Sequence, residues 1–246
     1  MGSRYFIIPF LPQLSFDATP ELSLHEVEFF LHLNLSRHEM EAVWQLNTLV
    51  DVENVRSFLM DRPLTAAGNI PHEELREKLE NDECPLPSLL PFFTLYPTLE
   101  ERKQHVHELI RFFFKSAPSS LPHCIQQYFW IENISRWLMA YLRAKALGQS
   151  YDVDPEELGL DPADAKTWPE IFAPLSSMWT AQHQSPLDLE EAFSRWKFDV
   201  IGSLSANSPP FSLDCLLTYL LQLRLVESRR ELQNPAHQNT LGILWK

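Results

Sequence analysis

The 246-residue sequence predicts an all-α protein of two or three packed helical bundles, preceded by a short extended segment. Three observations predict this class: helix-start signals, apolar residues that recur every three or four positions, and 6 glycines against 19 prolines. Tight β-hairpins and phosphate-binding loops both use glycine, so both are disfavoured. The hydrophobic fraction of 45% is typical of a globular chain and excludes wholesale disorder.

The N-terminal segment is the exception to the helical pattern. Residues 5–12 favour strand, but Pro9 and Pro12 interrupt them, which predicts extended chain or an edge strand. Four shorter helices are predicted after it, over residues 22–33, 37–49, 51–60 and 71–80.

Four capping boxes mark predicted helix starts. In each, a hydroxyl accepts a hydrogen bond from the backbone N–H three residues later, while an acid reaches back to the cap residue. The four pairs are Ser36 with Glu39, Thr98 with Glu101, Thr167 with Glu170 and Ser185 with Asp188. Pro186 also suits a first helical position, where no amide proton is needed.

The longer predicted helices have clear apolar faces. One follows Thr98, one covers about residues 121–147, one follows Ser185 and one covers about 211–227. Gly148 is placed to end the second of these in a left-handed conformation. The inward residues are expected to be Leu99, Val106, Leu109, Ile110 and Phe113; Ile125, Phe129, Leu138, Tyr141 and Leu142; Leu189, Ala192, Phe193, Trp196 and Val200; and Leu213, Leu216, Leu217, Leu220 and Leu223.

Composition shifts suggest how the chain is divided. A proline-rich crossover lies at 84–97, and an acidic stretch lies at 149–169. These predict an N-terminal helical unit (1–96), a central long-helix unit (97–150) and a C-terminal helical unit (151–246) after an acidic linker. One continuous domain is the alternative.

Charge and cysteine usage limit the partners. Lys and Arg total 20 against 33 Asp and Glu, and the net charge of −13 argues against a nucleic-acid partner. The widely spaced Cys84, Cys124 and Cys215 predict reduced thiols in the cytoplasm. Because no apolar run reaches the roughly 20 residues of a membrane span, we expect no direct membrane insertion.

No residue pattern predicts a catalytic, cofactor or metal site. His105 and His107 would point about 200° apart on a helix, which is unsuitable for one ion. Glu132 lies in an aromatic stretch, where partial burial raises the pKa of a carboxyl group and favours acid–base chemistry. An ion pair with Arg136 at i+4 is the better interpretation. Cys124 follows His123, and a buried structural cysteine is favoured over a nucleophile. A hydrolase that uses Glu132, or His123 with Cys124, remains an alternative.

Arginine and aromatic residues concentrate in binding hot spots, so two clusters are candidates for protein contacts. They are Arg136 and Trp137 in the long helix, and Arg195, Trp196 and Lys197 nearer the C-terminus.

Several short motifs resemble one known family over nearly the whole chain. They are Leu11-Pro12-Gln13-Leu14, Gly68-Asn69 before Pro71-His72-Glu73-Glu74-Leu75, Phe129-Trp130-Ile131-Glu132, Arg143-Ala144-Lys145-Ala146-Leu147-Gly148, Arg195-Trp196, Phe211-Ser212-Leu213-Asp214 and Tyr219-Leu220-Leu221-Gln222-Leu223. The family consists of bacterial proteins of unknown function encoded in V/A-type ATPase gene clusters. It is similar to the "C" component of the V-type ATPase central stalk, whose eukaryotic counterpart is called "d".

The resemblance implies an all-α, non-catalytic part of the central stalk. A protein of this kind contacts the membrane ring and the stalk, lies in the cytoplasm at the inner membrane, and serves proton or sodium transport without a cofactor. A generic helical adaptor outside any ATPase is a further alternative.

Overall fold

The computed structural model describes residues 4–64, 68–116, 121–149, 173, 177 and 186–233, and every regular element in these ranges is helical. The all-α prediction is therefore confirmed. The α-helices are α1 (Arg4–Ile7), α2 (Leu24–Asn34), α3 (Arg37–Leu59), α4 (His72–Glu80), α5 (Leu90–Leu95), α6 (Leu99–Gln104), α7 (Leu109–Ser116), α8 (His123–Ala146), α9 (Pro186–Ser203) and α10 (Leu213–Gln233). Short 3₁₀ turns cover Ile8–Phe10, Pro87–Leu89 and Val106–Glu108.

The N-terminal segment corrects one prediction. The sequence pattern predicts extended chain there, but α1 leads directly into the 3₁₀ turn Ile8–Phe10. Pro9 lies in the first turn of that element, where its missing N–H removes no hydrogen bond. The extended-segment prediction is therefore wrong for residues 4–10, because Pro9 occupies the position that a helical turn tolerates.

The chain divides into two compact units. The first unit comprises Met1–Met40 with Ala165–Lys246, and the second comprises Glu41–Asp164. These boundaries differ from the predicted segments 1–96, 97–150 and 151–246, because the N-terminal residues pack with α9 and α10. Of the acidic linker predicted at 149–169, residues 150–169 lie outside the described residues.

Most of α3 belongs to the second unit, and this helix is longer than expected. The sequence predicts two helices over 37–49 and 51–60, but one helix runs through Asp51. A buried apolar residue recurs every three or four positions along it: Met40, Val43, Leu46, Leu49, Val52, Val55 and Leu59. The side chain of Asp51 bonds to a loop beyond the helix instead of capping a new one, so the helix continues.

The sequence also predicts a single helix after Thr98, and the structure divides it. The Thr98–Glu101 capping box is present, but α6 ends at Gln104 and a 3₁₀ turn precedes α7. The His105 ring stacks on Tyr96, with centroids 4.2 Å apart and planes 7° apart. The Tyr96 hydroxyl also donates to Glu108 at 3.1 Å. These contacts hold the chain in the tighter turn.

Aromatic side chains join α7 to its neighbours in the second unit. Phe112 meets Phe92 of α5 edge-to-face at 5.7 Å, and Phe113 meets Phe129 of α8 at 5.3 Å. Such pairs contribute roughly 0.5–1.5 kcal/mol each beyond their burial. Helices that are individually short are therefore fixed by packing.

The end of α8 confirms a prediction. Gly148 has φ +67°, the Gln149 N–H donates to Ala144 O at 2.9 Å, and the Gly148 N–H donates to Lys145 O at 3.1 Å. Both hydrogen bonds of a Schellman motif are present. The long helix thus spans nearly the predicted range and stops where glycine permits a left-handed residue.

In the first unit, α10 packs against α9 and α2. The leucines predicted to face inward on α10 are buried, apart from the half-buried Leu213. Gln222 donates to Phe198 O at 3.0 Å, and the Leu24 N–H at the start of α2 donates to Glu227 at 2.8 Å. The Ser36–Glu39 capping box is present, and so is an unpredicted Ser23–Glu26 box. Thr167 and Ser185, from the other two predicted boxes, lie outside the described residues.

Candidate functional site

Arg136 is the centre of an ionic contact between two helices of the second unit. From α8 its guanidinium ion-pairs with Glu53 on α3, and its Nη2 lies 3.4 Å from Oε2 of Glu132 one turn away. Burial opposes the charge, but the neighbouring Glu132 and Glu53 raise the pKa of Arg136 overall. The cation is therefore held permanently between two carboxylates and bridges α8 to α3.

Trp137, the second candidate on this helix, is half-buried. Its ring stacks on Tyr141 one turn later, with centroids 5.7 Å apart and planes 22° apart. Part of its surface therefore contacts its own helix. Its role as a protein contact stays a prediction.

The first unit has a second ionic centre, built around Phe16. Arg195 of α9 binds Asp17 through both guanidinium nitrogens, at 2.8 and 2.5 Å, and lies 4.7 Å from the Phe16 ring centroid. Arg229 of α10 lies 4.8 Å from the same ring and donates to Phe16 O at 3.0 Å. Hydrogen bonding from Arg195 lowers the pKa of the Asp17 carboxyl. The two cations attach the N-terminal loop to both C-terminal helices.

Glu191 completes this centre. Its Oε1 accepts from Arg229 at 2.6 Å (Nη2) and 3.1 Å (Nε), which joins α9 to α10 directly. The Phe16 ring also meets Phe198 edge-to-face at 5.7 Å. We call Phe16, Asp17, Glu191, Arg195 and Arg229 the Phe16 clamp.

The remaining contact candidates lie beside the clamp on α9. Trp196 is buried, with 6% of its surface exposed, and stacks on Phe193 at 5.8 Å. Lys197 is half-buried and its Nζ lies 4.7 Å from the Phe193 centroid. Of this predicted cluster, Arg195 is the member that is exposed, and Trp196 packs in the core.

The residues of the hydrolase alternative are placed as follows. Glu132 is buried and pairs with Arg136, which is the interpretation that the sequence favours. Cys124 is 1% exposed, whereas His123 is exposed at the first position of α8. Consecutive positions on a helix point in different directions, which separates these two side chains.

The two histidines near α6 correct a geometric expectation. The expectation that they point apart rests on a continuous helix. Across the 3₁₀ turn, His105 Nδ1 and His107 Nε2 lie 3.5 and 3.8 Å from the same Glu108 Oε1. Among the described residues, no group of three His, Cys, Asp or Glu is arranged to hold a metal ion.

Arg102 is a structurally important residue that sequence reasoning missed. It is 1% exposed, lies 4.3 Å from the Phe93 centroid, and pairs with Asp82 at 2.9 Å. It also donates to the backbone carbonyls of Tyr96, at 2.8 Å, and Pro97. Its sequence context is an exposed helix start, so no local signal distinguishes it from its neighbours.

Asp51 is a second such residue, and it explains one of the motifs. Its carboxylate is fully buried on α3 and accepts from the backbone N–H groups of Asn69 and Ile70, at 3.2 and 3.1 Å. The Asn69 side chain donates to Asp51 at 3.1 Å and to Trp44 O at 2.8 Å. A Cβ at Gly68 would lie 1.9 Å from Asp51 Oδ1, so any larger residue there would displace the carboxylate. We call Asp51 with Gly68–Ile70 the Asp51 latch.

Arginine ion pairs join neighbouring segments within each unit. Arg102, Arg136 and Arg229 each join two or more segments of one unit, and their carboxylate partners are neutralised by them. Paired cations of this kind brace helices. No helix in the described ranges has the length and apolarity that crossing a membrane requires.

Residues 1–240 match the model of a family described as "Protein of unknown function (DUF2764)". The chain belongs to the DUF2764 family. A protein of Chlamydia trachomatis serovar D, named only "Uncharacterized protein", is 24% identical to this DUF2764 chain over 269 aligned residues, which cover all of both chains. No solved structure matches the chain. The DUF2764 match includes residues of both compact units.

Proposed function

We propose that this DUF2764 chain is a non-catalytic central-stalk subunit of a V-type ATPase or ATP synthase. In that role it joins the central stalk to the membrane ring on the cytoplasmic side of the inner membrane, in proton or sodium transport. The observation that carries the proposal is the ionic bracing within each unit, by Arg136 with Glu53 and by the Phe16 clamp.

The physical argument starts from what a rotor coupler must do. Torque passes through such a part without chemistry, so its helices must not slide or bend under load. Ionic contacts with fixed geometry between helices oppose sliding, and capped helix ends oppose fraying. Arg136 bridges α8 to α3, and Arg229 bridges α10 to α9 and to the N-terminal loop. The units therefore have the internal bracing that this role needs.

The residues that carry the family resemblance support the same conclusion. Gly68 and Asn69 form the Asp51 latch, and Arg143–Gly148 ends α8 in a Schellman motif. Glu132, from a third motif, pairs with Arg136. Each of these three motifs thus has a structural task in a helical framework, which favours a shared framework over a shared active site.

The test is co-purification of the complex. We expect a chromosomally tagged chain, extracted from membranes in a mild detergent, to recover the stalk and ring proteins of the V-type ATPase. The same tag on an unrelated cytoplasmic protein is the control. An ATPase purified with its stalk and ring intact, but without this chain, would rule the proposal out.

A generic helical adaptor is the second candidate, and one feature favours it. The first unit exposes several large apolar side chains, as a protein that binds other proteins does. The two functions separate in the same experiment, because an adaptor outside the ATPase recovers other proteins and no rotor components.

A further inference from the structure

Exposed apolar side chains concentrate on α1, the 3₁₀ turn after it, and α2. Within the first unit, α1 packs against α2. Their exposed fractions are 72% for Phe6, 82% for Phe10, 58% for Phe29, 46% for Phe30 and 66% for Leu33. We call these five residues the α1–α2 apolar face. Single exposed apolar residues are ordinary on a protein surface, but a group on adjoining elements marks an interaction site.

The exposed apolar residues of α2 lie on a different side of the helix from the residues that pack within its unit. Val27 and Leu31, four residues apart, are fully buried on the side that packs in the unit. Phe29 and Phe30 lie four and three residues before Leu33, which places the three on a second side of the helix, and the two rings meet edge-to-face at 6.3 Å. A helix with two apolar sides can pack one against its own unit and the other against another molecule.

The surrounding charge indicates which molecule. Between Arg4 and Arg37 the sequence has no Lys or Arg, and it carries four acids. Asp17 pairs with Arg195 and Glu28 lies 3.9 Å from Arg224, so Glu21 and Glu26 supply the negative charge of this segment. Glu26 is exposed one turn before Phe29 and Phe30, on the same side of α2. The whole chain has a net charge of −13, so a second copy or an anionic membrane would meet like charge.

We propose that the α1–α2 apolar face binds an amphipathic helix of a partner protein that has an apolar stripe and basic flanks. The stripe covers Phe29, Phe30 and Leu33, and a basic residue at one end meets Glu26. This is binding of a helix by its apolar face, with charge setting the orientation. The inference does not depend on an ATPase role, because it rests only on the exposed apolar side chains and the negative charge of this segment.

The test uses two synthetic helical peptides of about 18 residues, long enough to form a helix when bound. Both have the same leucine stripe; one carries lysines on the polar face and the other glutamates. Fluorescence anisotropy measures their binding to the full-length chain. We expect the lysine peptide to bind at least about tenfold more tightly than the glutamate peptide, a difference of about 1.4 kcal/mol.

Variants locate the binding. Phe29→Ser with Leu33→Ser is expected to weaken the lysine peptide at least about tenfold, as loss of a hot spot does. The control, Leu90→Ser with Leu95→Ser, removes two apolar residues of the second unit that are each 57% exposed, and should bind like the wild type. Glu26→Gln keeps a residue that suits the capping box and removes the charge, so we expect a few-fold loss.

Three results would overturn the inference. Equal binding by the wild type and the Phe29→Ser, Leu33→Ser variant would mean that the peptide follows net charge alone. Dimerisation of the wild type in light scattering, abolished by that variant, would assign the face to a second copy. Binding to phosphatidylglycerol vesicles, lost in the same variant, would assign it to a membrane. Circular dichroism checks that each variant is folded.

Discussion

Arg102 in the second unit and Arg195 in the first make the same kinds of contact in opposite surroundings. Each guanidinium lies near a phenylalanine ring, at 4.3 Å for Phe93 and 4.7 Å for Phe16, and each binds an aspartate. The Arg102 side chain is 1% exposed, whereas that of Arg195 is 44% exposed. Because their exposure differs so much, we expect the two contacts to stabilise the fold by different amounts despite their similar geometry.

The difference lies in what replaces the arginine when it is removed. Arg102 also donates to two backbone carbonyls, those of Tyr96 and Pro97, and both lose this donor when it is removed. Around Arg195, water takes the place of the guanidinium at Asp17, and salt screens the pair. A buried arginine is therefore a structural requirement of its unit, and an exposed one is adjustable.

The largest effect is expected from Arg102→Met, which tests the buried side of the comparison. The carbonyls of Tyr96 and Pro97 lose their donor, and we expect the free energy of unfolding to fall by about 2–4 kcal/mol. Guanidinium denaturation followed by circular dichroism measures it. The neighbouring Lys103→Met breaks an exposed pair with Asp61 and should change stability by less than about 1 kcal/mol. Equal losses in both variants would contradict the comparison.

The Asp51 latch extends the comparison to a buried acid. Asp51→Ala leaves the N–H groups of Asn69 and Ile70 without their acceptor, and we expect a loss of about 2–3 kcal/mol in urea denaturation. Gly68→Ala should also destabilise, because its Cβ would overlap the Asp51 carboxylate. A fully stable Gly68→Ala would show that the latch is not formed.

The latch also predicts a pH dependence. Burial raises the pKa of Asp51 above its ordinary value of 3.8, although hydrogen bonds from Ile70 and Asn69 oppose the shift. Between 3.8 and the raised pKa, the folded state binds more protons than the unfolded state. Stability from this group is then present below pH 3.8 and is lost as the pH rises through the folded pKa. The free energy of unfolding of the wild type, relative to that of Asp51→Asn, should therefore fall as the pH rises. A rise would contradict a raised pKa of Asp51.

A smaller effect is expected within the Phe16 clamp, which contains both kinds of arginine. Arg229 is 16% exposed and holds Glu191, the Phe16 ring and the Phe16 carbonyl. We expect Arg229→Ala to lower the free energy of unfolding by about 1–2 kcal/mol. Arg195→Ala should have a smaller effect that shrinks further in high salt. Thermal denaturation of both variants at two salt concentrations measures the difference, and a larger loss in Arg195→Ala than in Arg229→Ala would contradict this expectation.

Gly148 provides a reference, because a side chain added there would make no contact and would change stability only through the backbone. Nothing lies within 4 Å of a Cβ built at Gly148, so Gly148→Val should lose stability only through its positive φ, by about 1 kcal/mol. Asparagine tolerates the left-handed conformation, so Gly148→Asn should retain most of the stability of the wild type. Unchanged melting of the valine variant would mean that α8 ends elsewhere in solution.

Local signals in the sequence were sufficient for the fold class and for several helix ends. Thr98 with Glu101, Ser36 with Glu39, and Gly148 mark helix ends through hydrogen bonds that reach at most five residues. The inward leucines of α10 follow from helical periodicity. The ion pair of Glu132 with Arg136 was also predictable, because residues four apart meet on a helix.

The candidate sites were predictable only in part. Arg136 and Arg195 stand out in the sequence as notable residues, but their partners Glu53 and Asp17 are 83 and 178 positions away. Trp196 belongs to the predicted contact residues, and packing buries it. Periodicity gives the side of a helix that is apolar, and it does not show which side another element covers.

The helical class and many helix ends could be predicted from the sequence, because they depend on hydrogen bonds between near neighbours. Three features depend instead on contacts within the folded protein: α3 continues through Asp51, the helix after Thr98 is interrupted at His105, and Arg102 is buried. In each case a partner from elsewhere in the chain, such as Asn69 or Tyr96, changes which local conformation has the lower free energy. Such a partner becomes available only once the helices have packed.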